Sequence, residues 1–168
     1  AAEKILTPNP WKLLFTEGGP VIPGEREMDT PELWTLSDDS ELLSFSGSAV
    51  YSSSFTLSGE IAPEYILDLG NVHESAKVTI NGADAGIAWS IPFTLRVKGL
   101  LKEGVNTIEI EVANLMANRI SWMDRQKKEW RRYHEINFVN INYRPFDASE
   151  WSPLPSGLDG AVTLRAVP

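Results

Sequence analysis

The sequence predicts an all-β protein, an antiparallel β-sandwich of the jelly-roll kind, from three observations. Short runs of alternating apolar and polar residues fill positions 49–113, and glycines or an Asn-Gly pair recur between these runs. Alternation with a period of two is typical of strands with one solvated face. Recurring turn residues between such strands are typical of sandwiches and barrels. A last alternating run, AVTLRAV, returns after a long irregular stretch, which is ordinary for jelly-roll topology.

The strands are predicted in chain order from the residues that share one face. The first two are WKLLF at 11–15 and LWTL at 33–36, which a Gly/Pro-rich stretch joins. The inward faces of the next five strands are Ala49, Tyr51, Ser53, Phe55 and Leu57; Tyr65, Leu67 and Leu69; Ala76, Val78 and Ile80; Phe93, Leu95 and Val97; Ile108, Ile110 and Val112. The final strand is expected to bury Val162 and Leu164.

The stretch AKVTINGADAGIAWSIPF carries the most specific local signal. Asn81 and Gly82 both tolerate the positive φ of a type I′ turn, so they predict a tight hairpin. Gly86 is interpreted as relieving crowding where another backbone comes close, and Pro92 as a strand start that donates no ladder bond. Trp89 leaves two interpretations open: a flat face for a pyranose ring, or a core or rim indole bonded to backbone.

Size and composition narrow the functional classes. The chain has 168 residues, which predicts one domain over 1–168 with an irregular insertion at about 114–159. Its net charge of −8 disfavours nucleic acid or an anionic membrane as partner. Without cysteine there is no disulfide framework, cysteine-ligated zinc or thiol catalysis. No apolar run is long enough to span a membrane. The abrupt start AAEKILTPNPW suggests a piece of a longer polypeptide.

The insertion is rich in aromatic and basic side chains. These are Trp122, Trp130, Tyr133 and Trp151, with Arg119, Arg125, Arg131, Arg132 and His134. One interpretation is a carbohydrate or partner surface, because loops on a rigid scaffold commonly carry binding. The other is a loop that packs on its own sandwich, with arginines solvated or paired to nearby acids. Within it, 124–135 is predicted as a short helix with Asp124 and Lys128 as an i,i+4 pair.

Polar residues after the clearest strand form a further candidate group. Asn114, Asn118 and Arg119 carry amide and guanidinium groups that suit sugar hydroxyls. They suit buried loop carbonyls equally well, since buried backbone polar groups need partners.

Catalytic and metal-binding patterns are weak. Glycoside hydrolysis needs two carboxyls about 5–9.5 Å apart, but most acids here lie on solvated strand faces or in turns, so no catalytic residue is predicted. The run SDDSE at 37–41 is either an acidic surface turn or a source of oxygen ligands for a structural calcium ion. His73 and His134 lack metal-ligand spacing, so no zinc and no other cofactor is expected.

Three long stretches resemble a known family: FSGSAVYSSSFTL, LDLGNVHESAKVTINGADAGIAWSIPFTLRV and LKEGVNTIEIEVANLMANRI. They are similar to the sugar-binding, galactose-binding-like β-sandwich of glycoside hydrolase family 2. They are closer to the accessory β-sandwich near the C-terminus of family 106 rhamnosidases, which PWKLLF, LWTL and the Ser-Gly-Leu turn of LPSGLDGAVTL also resemble. The chain departs from that pattern at Gly160-Ala161, where the family has Gly-Pro, and in ISWMDRQKKEWRRYHEINFVN.

The resemblance implies a non-catalytic carbohydrate-binding or accessory module of a rhamnosidase-like, polysaccharide-degrading glycoside hydrolase. The family's catalytic carboxylates lie in a separate barrel that no part of this chain resembles, so the implied partners are that domain and a carbohydrate. The implied location is periplasmic or extracellular. The candidate sugar contacts are Trp89, Asn118, Arg119, Trp122, Trp130, Tyr133 and Trp151. The alternatives are a structural domain packed against the barrel without ligand and, last, a free-standing glycosidase.

Overall fold

A computed structural model describes residues 4–5, 10–132, 139 and 141–167 of the chain. In order, the elements are β1 Lys4–Ile5, β2 Trp11–Gly19, β3 Arg26–Met28, a 3-10 helix Trp34–Leu36, α1 Ser40–Ser44, β4 Ser46–Leu57, β5 Glu64–Asp68, β6 Asn71–His73, β7 Ser75–Ile80, β8 Ala83–Ala88, β9 Thr94–Lys98, β10 Gly104–Ala113, α2 Ala117–Arg125, β11 Gly157–Asp159 and β12 Thr163–Ala166.

The strands form two main antiparallel sheets, which confirms the predicted sandwich. One sheet has the order β3-β2-β4-β10-β7-β8 and the other the order β1-β12-β5-β9, while β11 and β6 form a separate pair. The two longest strands, β4 and β10, lie side by side, with Gly104 opposite Leu57 and Ala113 opposite Ser48. This long central pairing holds the neighbouring strands in a fixed register.

The core lies between the two sheets, where the predicted alternation places it. Leu13, Tyr51, Ile110 and Val78 form one cross-strand row, and all four are buried. One continuous apolar cluster joins this sheet to buried residues of β5, β9 and β12. The alternation therefore predicted which face of each strand is inward, because burial of one face imposes that pattern on the sequence.

The predicted strand at 33–36 is wrong. Residues Trp34–Leu36 form a 3-10 turn, and Leu33 before them makes only an isolated antiparallel bridge with Gly157. The Trp34 ring packs edge-on against Phe15 at 5.5 Å and Phe45 at 6.0 Å. In the 3-10 turn Trp34 is buried while Leu36 stays exposed. In an extended strand these two side chains would point to the same face of the sheet.

The predicted Asn-Gly hairpin is confirmed. Asn81 has φ +50° and Gly82 has φ +79°, and they connect β7 to β8. The Asn81 side chain also donates to the Leu100 carbonyl and to Oδ1 of the fully buried Asn106, both at 2.8 Å, and accepts from the Thr107 N–H at 3.0 Å. Asn81 therefore ties the hairpin to the turn before β10 as well as forming its own turn.

The interpretation of Gly86 as relieving backbone crowding is wrong. A Cβ at Gly86 would meet only a methyl group of Leu95, at 3.4 Å. The glycine is required instead because β8 carries a bulge after Asp84, where Gly86 adopts φ +115°. Pro92 lies two residues before β9, which begins at Thr94, so it stands outside the strand it was expected to start.

The predicted helix at 124–135 is also wrong over its described part. The helix α2 ends at Arg125, and Lys127 has φ +53°, a left-handed conformation that stops the helix. Lys128 lies 4.4 Å from the Trp122 ring centroid rather than pairing with Asp124. Positions 133–135 lie outside the described residues.

A buried phenol makes the stability of the fold sensitive to alkaline pH. The Tyr51 hydroxyl donates to the Glu32 carbonyl at 2.8 Å and accepts from the Leu158 N–H at 3.2 Å. Burial raises the pKa of Tyr51 well above its ordinary value, so folding favours the protonated phenol. This contribution is complete below pH about 10 and is lost as pH rises further, because unfolded tyrosine then ionises.

We therefore expect the free energy of unfolding to fall more steeply above pH about 10 in the wild type than in Tyr51→Phe. Urea unfolding between pH 8 and about 11 measures both slopes. Parallel slopes for the two proteins would contradict a protonated, buried Tyr51.

Candidate functional site

Most candidate residues follow strands that finish at one end of the sandwich. Antiparallel pairing places Gly19 of β2 beside Ser46 of β4, Ala113 of β10 beside Ser75 of β7, and Ala88 beside Ala76. These positions and the helix α2 that follows β10 form what we call the α2 end. Trp89, Asn114 and the residues of α2 all belong to it.

The side chains of the two asparagines at the α2 end form hydrogen bonds with backbone groups of other segments. Asn114 accepts from the Gly47 N–H at 2.8 Å and donates to the Phe45 carbonyl at 3.0 Å. Asn118 is buried, donates to the Leu154 carbonyl at 3.0 Å and accepts from the Leu154 N–H at 2.8 Å. This is the second of the two roles that the sequence left open for these amides. A sugar contact by Asn118 stays a prediction.

Ser156, which the sequence interpretation missed, connects these amides. Its hydroxyl accepts from Asn114 at 2.9 Å and from Asn118 at 3.3 Å. The backbone carbonyl of Ser156 accepts a hydrogen bond from the backbone N–H of Trp34 at 3.0 Å. The Ser-Gly-Leu pattern marks this segment in the sequence. It does not indicate these contacts, because the asparagines that Ser156 contacts are far away along the chain.

Arg119 is half-buried at the α2 end and its side chain covers Gly19. Its guanidinium carbon would lie 2.9 Å from a Cβ at Gly19, so the absence of a side chain there makes room for the arginine. Its backbone N–H donates to Ser46 Oγ at 3.1 Å. The same arrangement positions the start of α2 against the start of β4.

The aromatic side chains of the insertion pack largely on one another. The Asp124 carboxylate accepts from Trp130 Nε1 at 2.7 Å and from the Ala148 N–H at 2.8 Å. Phe146 packs edge-on against Trp130 at 6.0 Å and Trp151 at 5.5 Å. The described part of the insertion is therefore held by its own side chains, and Trp151 stays partly exposed.

A cation lies on the remaining indole of this region. The Lys128 ammonium stands over the half-buried Trp122 ring, at 4.4 Å from its centroid. The α2 end thus brings together Asn118, Arg119, Trp122, Trp130 and Trp151. Tyr133 lies outside the described residues.

Trp89 belongs to the same end but stands apart, at the edge strand β8. It is 75% exposed, so it is not a core tryptophan, whereas a rim position agrees with this exposure. Three strand spacings, roughly 14 Å, separate β8 from β4, where α2 packs. Ile91 beside it is 84% exposed, and the two present an apolar corner to solvent.

The acidic run at 37–41 has a structural role in the described chain. Asp39 caps α1 by accepting from the Glu41 N–H at 3.0 Å, and its other oxygen pairs with Arg26 at 2.6 Å. Among the described residues no group of three or more His, Cys, Asp or Glu is placed to hold a metal ion. No described helix is long and apolar enough to cross a membrane.

A two-sheet antiparallel sandwich with a helix and an aromatic loop at one end is a class of β-domain that glycoside hydrolases contain, and comparisons with known proteins confirm this resemblance. The chain is similar over 98% of its length to part of the rhamnosidase from Novosphingobium sp. PP1Y, with 30% identity and a TM-score of 0.74. It covers 15% of that rhamnosidase.

One further solved structure shares the fold, and one further protein is similar in sequence. A GH2 beta-galacturonidase from Eisenbergiella tayi matches 99% of this chain at 16% identity with a TM-score of 0.60, and the match covers 24% of that enzyme. A protein of Formosa agariphila that is provisionally named a beta-glucuronidase is 35% identical over 95 residues, which are 55% of this chain and 8% of that protein. No protein-family model matches the chain. The chain therefore corresponds to a small part of the much longer proteins it resembles.

Proposed function

We propose that this chain is a non-catalytic accessory domain of a rhamnosidase-like, polysaccharide-degrading glycoside hydrolase, where it binds carbohydrate beside the catalytic domain. The observation that carries the proposal is the similarity to a rhamnosidase over 98% of this chain and only 15% of that enzyme. A periplasmic or extracellular location belongs to the same proposal, because polymeric carbohydrate is met outside the cytoplasm.

The side chains at the α2 end support carbohydrate binding. Flat apolar rings suit the C–H faces of sugars, and Trp89 and Trp151 both expose indole surface there. Arg119 adds a half-buried guanidinium, whose donors suit hydroxyl oxygens. Rings and donors lie on a rigid sandwich, which favours a preformed binding surface.

The carboxylates near this surface are poor candidates for catalysis. A glycosidase needs a carboxylic acid whose pKa is raised, together with a second carboxylate across the bond. Asp124 already accepts hydrogen bonds from Trp130 and Ala148, and the Arg131 guanidinium lies 3.9 Å away. Hydrogen bonds from the backbone and hydroxyl of Ser149 lower the pKa of Asp147, which is the opposite of what an acid catalyst needs.

Trp89 provides the sharpest test of carbohydrate binding. We expect tryptophan fluorescence to change when the wild type is titrated with rhamnose, galactose and pectin oligosaccharides, and Trp89→Ala to weaken the oligosaccharide response by about three- to ten-fold. Because Trp89 is mostly exposed, the variant should keep its free energy of unfolding within about 0.5 kcal/mol. Val105→Ala, an exposed apolar change at the end of β10 away from the α2 end, is the matched control and should keep wild-type affinity. An unchanged fluorescence with every sugar at tens of millimolar would count against this function.

A structural role without ligand is the second candidate, and one observation favours it. Ile87, Trp89 and Ile91 expose apolar surface within five residues, on and just beyond the edge strand β8. Contiguous exposed apolar surface often marks an interface with another protein surface. Loss of every sugar response, together with burial of Trp89 in the longer enzyme, would favour this candidate.

A further inference from the structure

The segment 125–132, which we call the basic segment, has a charge opposite to that of the rest of the chain. Its sequence is RQKKEWRR, with five lysines or arginines and one glutamate, so it carries a net charge of +4. The whole chain carries −8, which leaves −12 on the other residues. Such a concentration of opposite charge indicates a surface for an oppositely charged partner.

Most cations of the basic segment have no carboxylate partner. Arg131 lies 3.9 Å from the Asp124 carboxylate, which balances its charge. The other four are exposed, and in the described part of the chain no carboxylate lies within 4 Å of them: Arg125, Lys127, Lys128 and Arg132. The basic segment therefore presents unbalanced positive charge to solvent.

Backbone hydrogen bonds and a ring contact hold the two lysines in place. The Lys127 N–H donates to the Asp124 carbonyl at 3.0 Å, and the Lys128 N–H donates to the Met123 carbonyl at 2.9 Å. These two bonds end α2 in the arrangement whose left-handed position is usually a glycine, and Lys127 takes that position at φ +53°. The Lys128 ammonium lies 4.4 Å from the Trp122 ring centroid. The backbone of both cations is therefore fixed before any ligand binds.

A cavity of about 220 Å³ lies beside these lysines. Its walls are Asp124, Lys127, Lys128, Glu129, Trp130 and Arg131. Both oxygens of Asp124 already accept hydrogen bonds, one from Trp130 Nε1 and the other from the Ala148 N–H, and its side chain is only 11% exposed. Glu129 is thus the one accessible carboxylate of the described walls, and it accepts from the Arg131 N–H at 3.0 Å. Two exposed lysines against one exposed carboxylate favour an anionic group of a ligand.

The negative net charge of the chain does not prevent an anion from approaching this surface. At physiological ionic strength the Debye length is about 8 Å, whereas β10 alone spans roughly 30 Å from Gly104 to Ala113. Acids at the far end of the sandwich are therefore screened. Near the basic segment, the described residues 117–132 and 141–151 contain seven lysines or arginines and four acids, so the local charge stays positive.

We propose that the basic segment binds an acidic glycan, one whose sugar residues carry carboxylate or sulfate groups, and prefers it to a neutral glycan of the same length. The proposal rests on the proposed carbohydrate-binding function and names the ligand class of the α2 end. Because one exposed ion pair contributes little by itself, several anionic sugar residues have to meet the cations together. A single uronate should therefore bind much more weakly than the oligomer.

Nuclear magnetic resonance of the backbone amides tests this proposal on the chain itself. Titration with oligogalacturonate should shift the amide signals of the basic segment, with a dissociation constant on the order of 1 mM at about 20 mM NaCl. Raising NaCl to about 200 mM should weaken this binding at least about three-fold, because salt screens exposed charges. A neutral galacto-oligosaccharide of the same length should bind more weakly and without this salt dependence. A sulfated galacto-oligosaccharide of that length identifies which anionic group is preferred.

Two double variants with the same net charge locate the site. Lys127→Gly with Lys128→Gln removes both cavity lysines, and glycine suits the left-handed conformation at position 127, so this variant should stay folded by circular dichroism. Lys98→Gln with Lys102→Gln removes two exposed lysines near the start of β10, at the opposite end of the sandwich. The first variant should weaken oligogalacturonate binding about three- to ten-fold, while the second should stay within about two-fold of the wild type.

The outcomes separate this proposal from the general function. Equal affinity for the acidic and neutral oligosaccharides would overturn the preference and leave the carbohydrate-binding function standing. Equal losses in the two double variants would overturn the basic segment as the site. Poly-L-glutamate of matched charge that binds as tightly as oligogalacturonate would overturn the assignment to a glycan. Failure of every oligosaccharide to bind would overturn this proposal together with the proposed function.

Discussion

Gly157→Ala is expected to lower the free energy of unfolding by about 3–5 kcal/mol. Gly157 has φ +114°, and an added Cβ would overlap the Tyr51 hydroxyl and lie 3.0 Å from Trp34 Cε3. Neither neighbour can move easily, because the Tyr51 hydroxyl is hydrogen-bonded and the Trp34 ring is packed between two phenylalanines. The first position of β11 therefore requires glycine for both its backbone conformation and its space.

Gly160→Ala is the matched control for this prediction. Gly160 has φ +103°, but no atom lies within 4 Å of a Cβ built on it, so only the backbone strain remains. We expect that variant to lose about 1–2 kcal/mol in urea unfolding followed by circular dichroism. Equal losses at Gly157 and Gly160 would show that the contact with Tyr51 and Trp34 contributes little.

The strands of the sandwich could be predicted because their signal is local. In β10, Ile108 and Ile110 are buried and Glu109 and Glu111 are exposed, so burial imposes a period of two that is readable without knowledge of the partner strands. The same holds for the Asn81-Gly82 turn, where the required positive φ selects the residue types. Pairing of the strands into two sheets then follows from the resemblance rather than from the pattern.

The 3-10 turn at Trp34 and the helix α2 could not be predicted in the same way. Four residues such as LWTL carry too little periodicity to distinguish a strand from a turn, and contacts with Phe15 and Phe45 decide the outcome. For α2, the charge spacing of Asp124 and Lys128 suggested a helix further along the chain. Tertiary hydrogen bonds from Trp130 and Ala148 use Asp124 instead, and these override a helix pair worth only a few tenths of a kcal/mol.

The candidate site was predictable in its residue types but not in its partners. The amide after the clearest strand indicated Asn118 and the stretch after the Asn-Gly turn indicated Trp89, but each side chain suits both a binding role and a structural role. The partners of Asn118 lie 36 and 38 residues away along the chain, so no local pattern identifies them. The exposure of Trp89 similarly depends on its position at a sheet edge, which only the strand order reveals.

Asn118→Ala is expected to lower the free energy of unfolding by about 2–3 kcal/mol. The change removes both hydrogen bonds to the Leu154 backbone and the one to Ser156 Oγ, and it leaves these polar groups without their partner at a largely buried position. Thermal unfolding should show a Tm lower by about 5–10 °C. Asn71→Ala, at an exposed position of β6, is the matched control and should stay within about 0.5 kcal/mol of the wild type.

The same variant separates the two roles that an amide at this position can have. If Asn118 serves the loop backbone, the folded Asn118→Ala protein should bind oligosaccharide as tightly as the wild type at temperatures well below its Tm. A direct sugar contact predicts the reverse, a weaker affinity with little loss of stability, because an exposed contact contributes to binding and not to folding. Isothermal titration with the oligosaccharide of the Trp89 experiment, at 10 °C and on protein shown to be folded by circular dichroism, decides between them. Since the oxygen and the nitrogen of the Asn118 side-chain amide both already hydrogen-bond to the Leu154 backbone, we expect the loss to appear in stability.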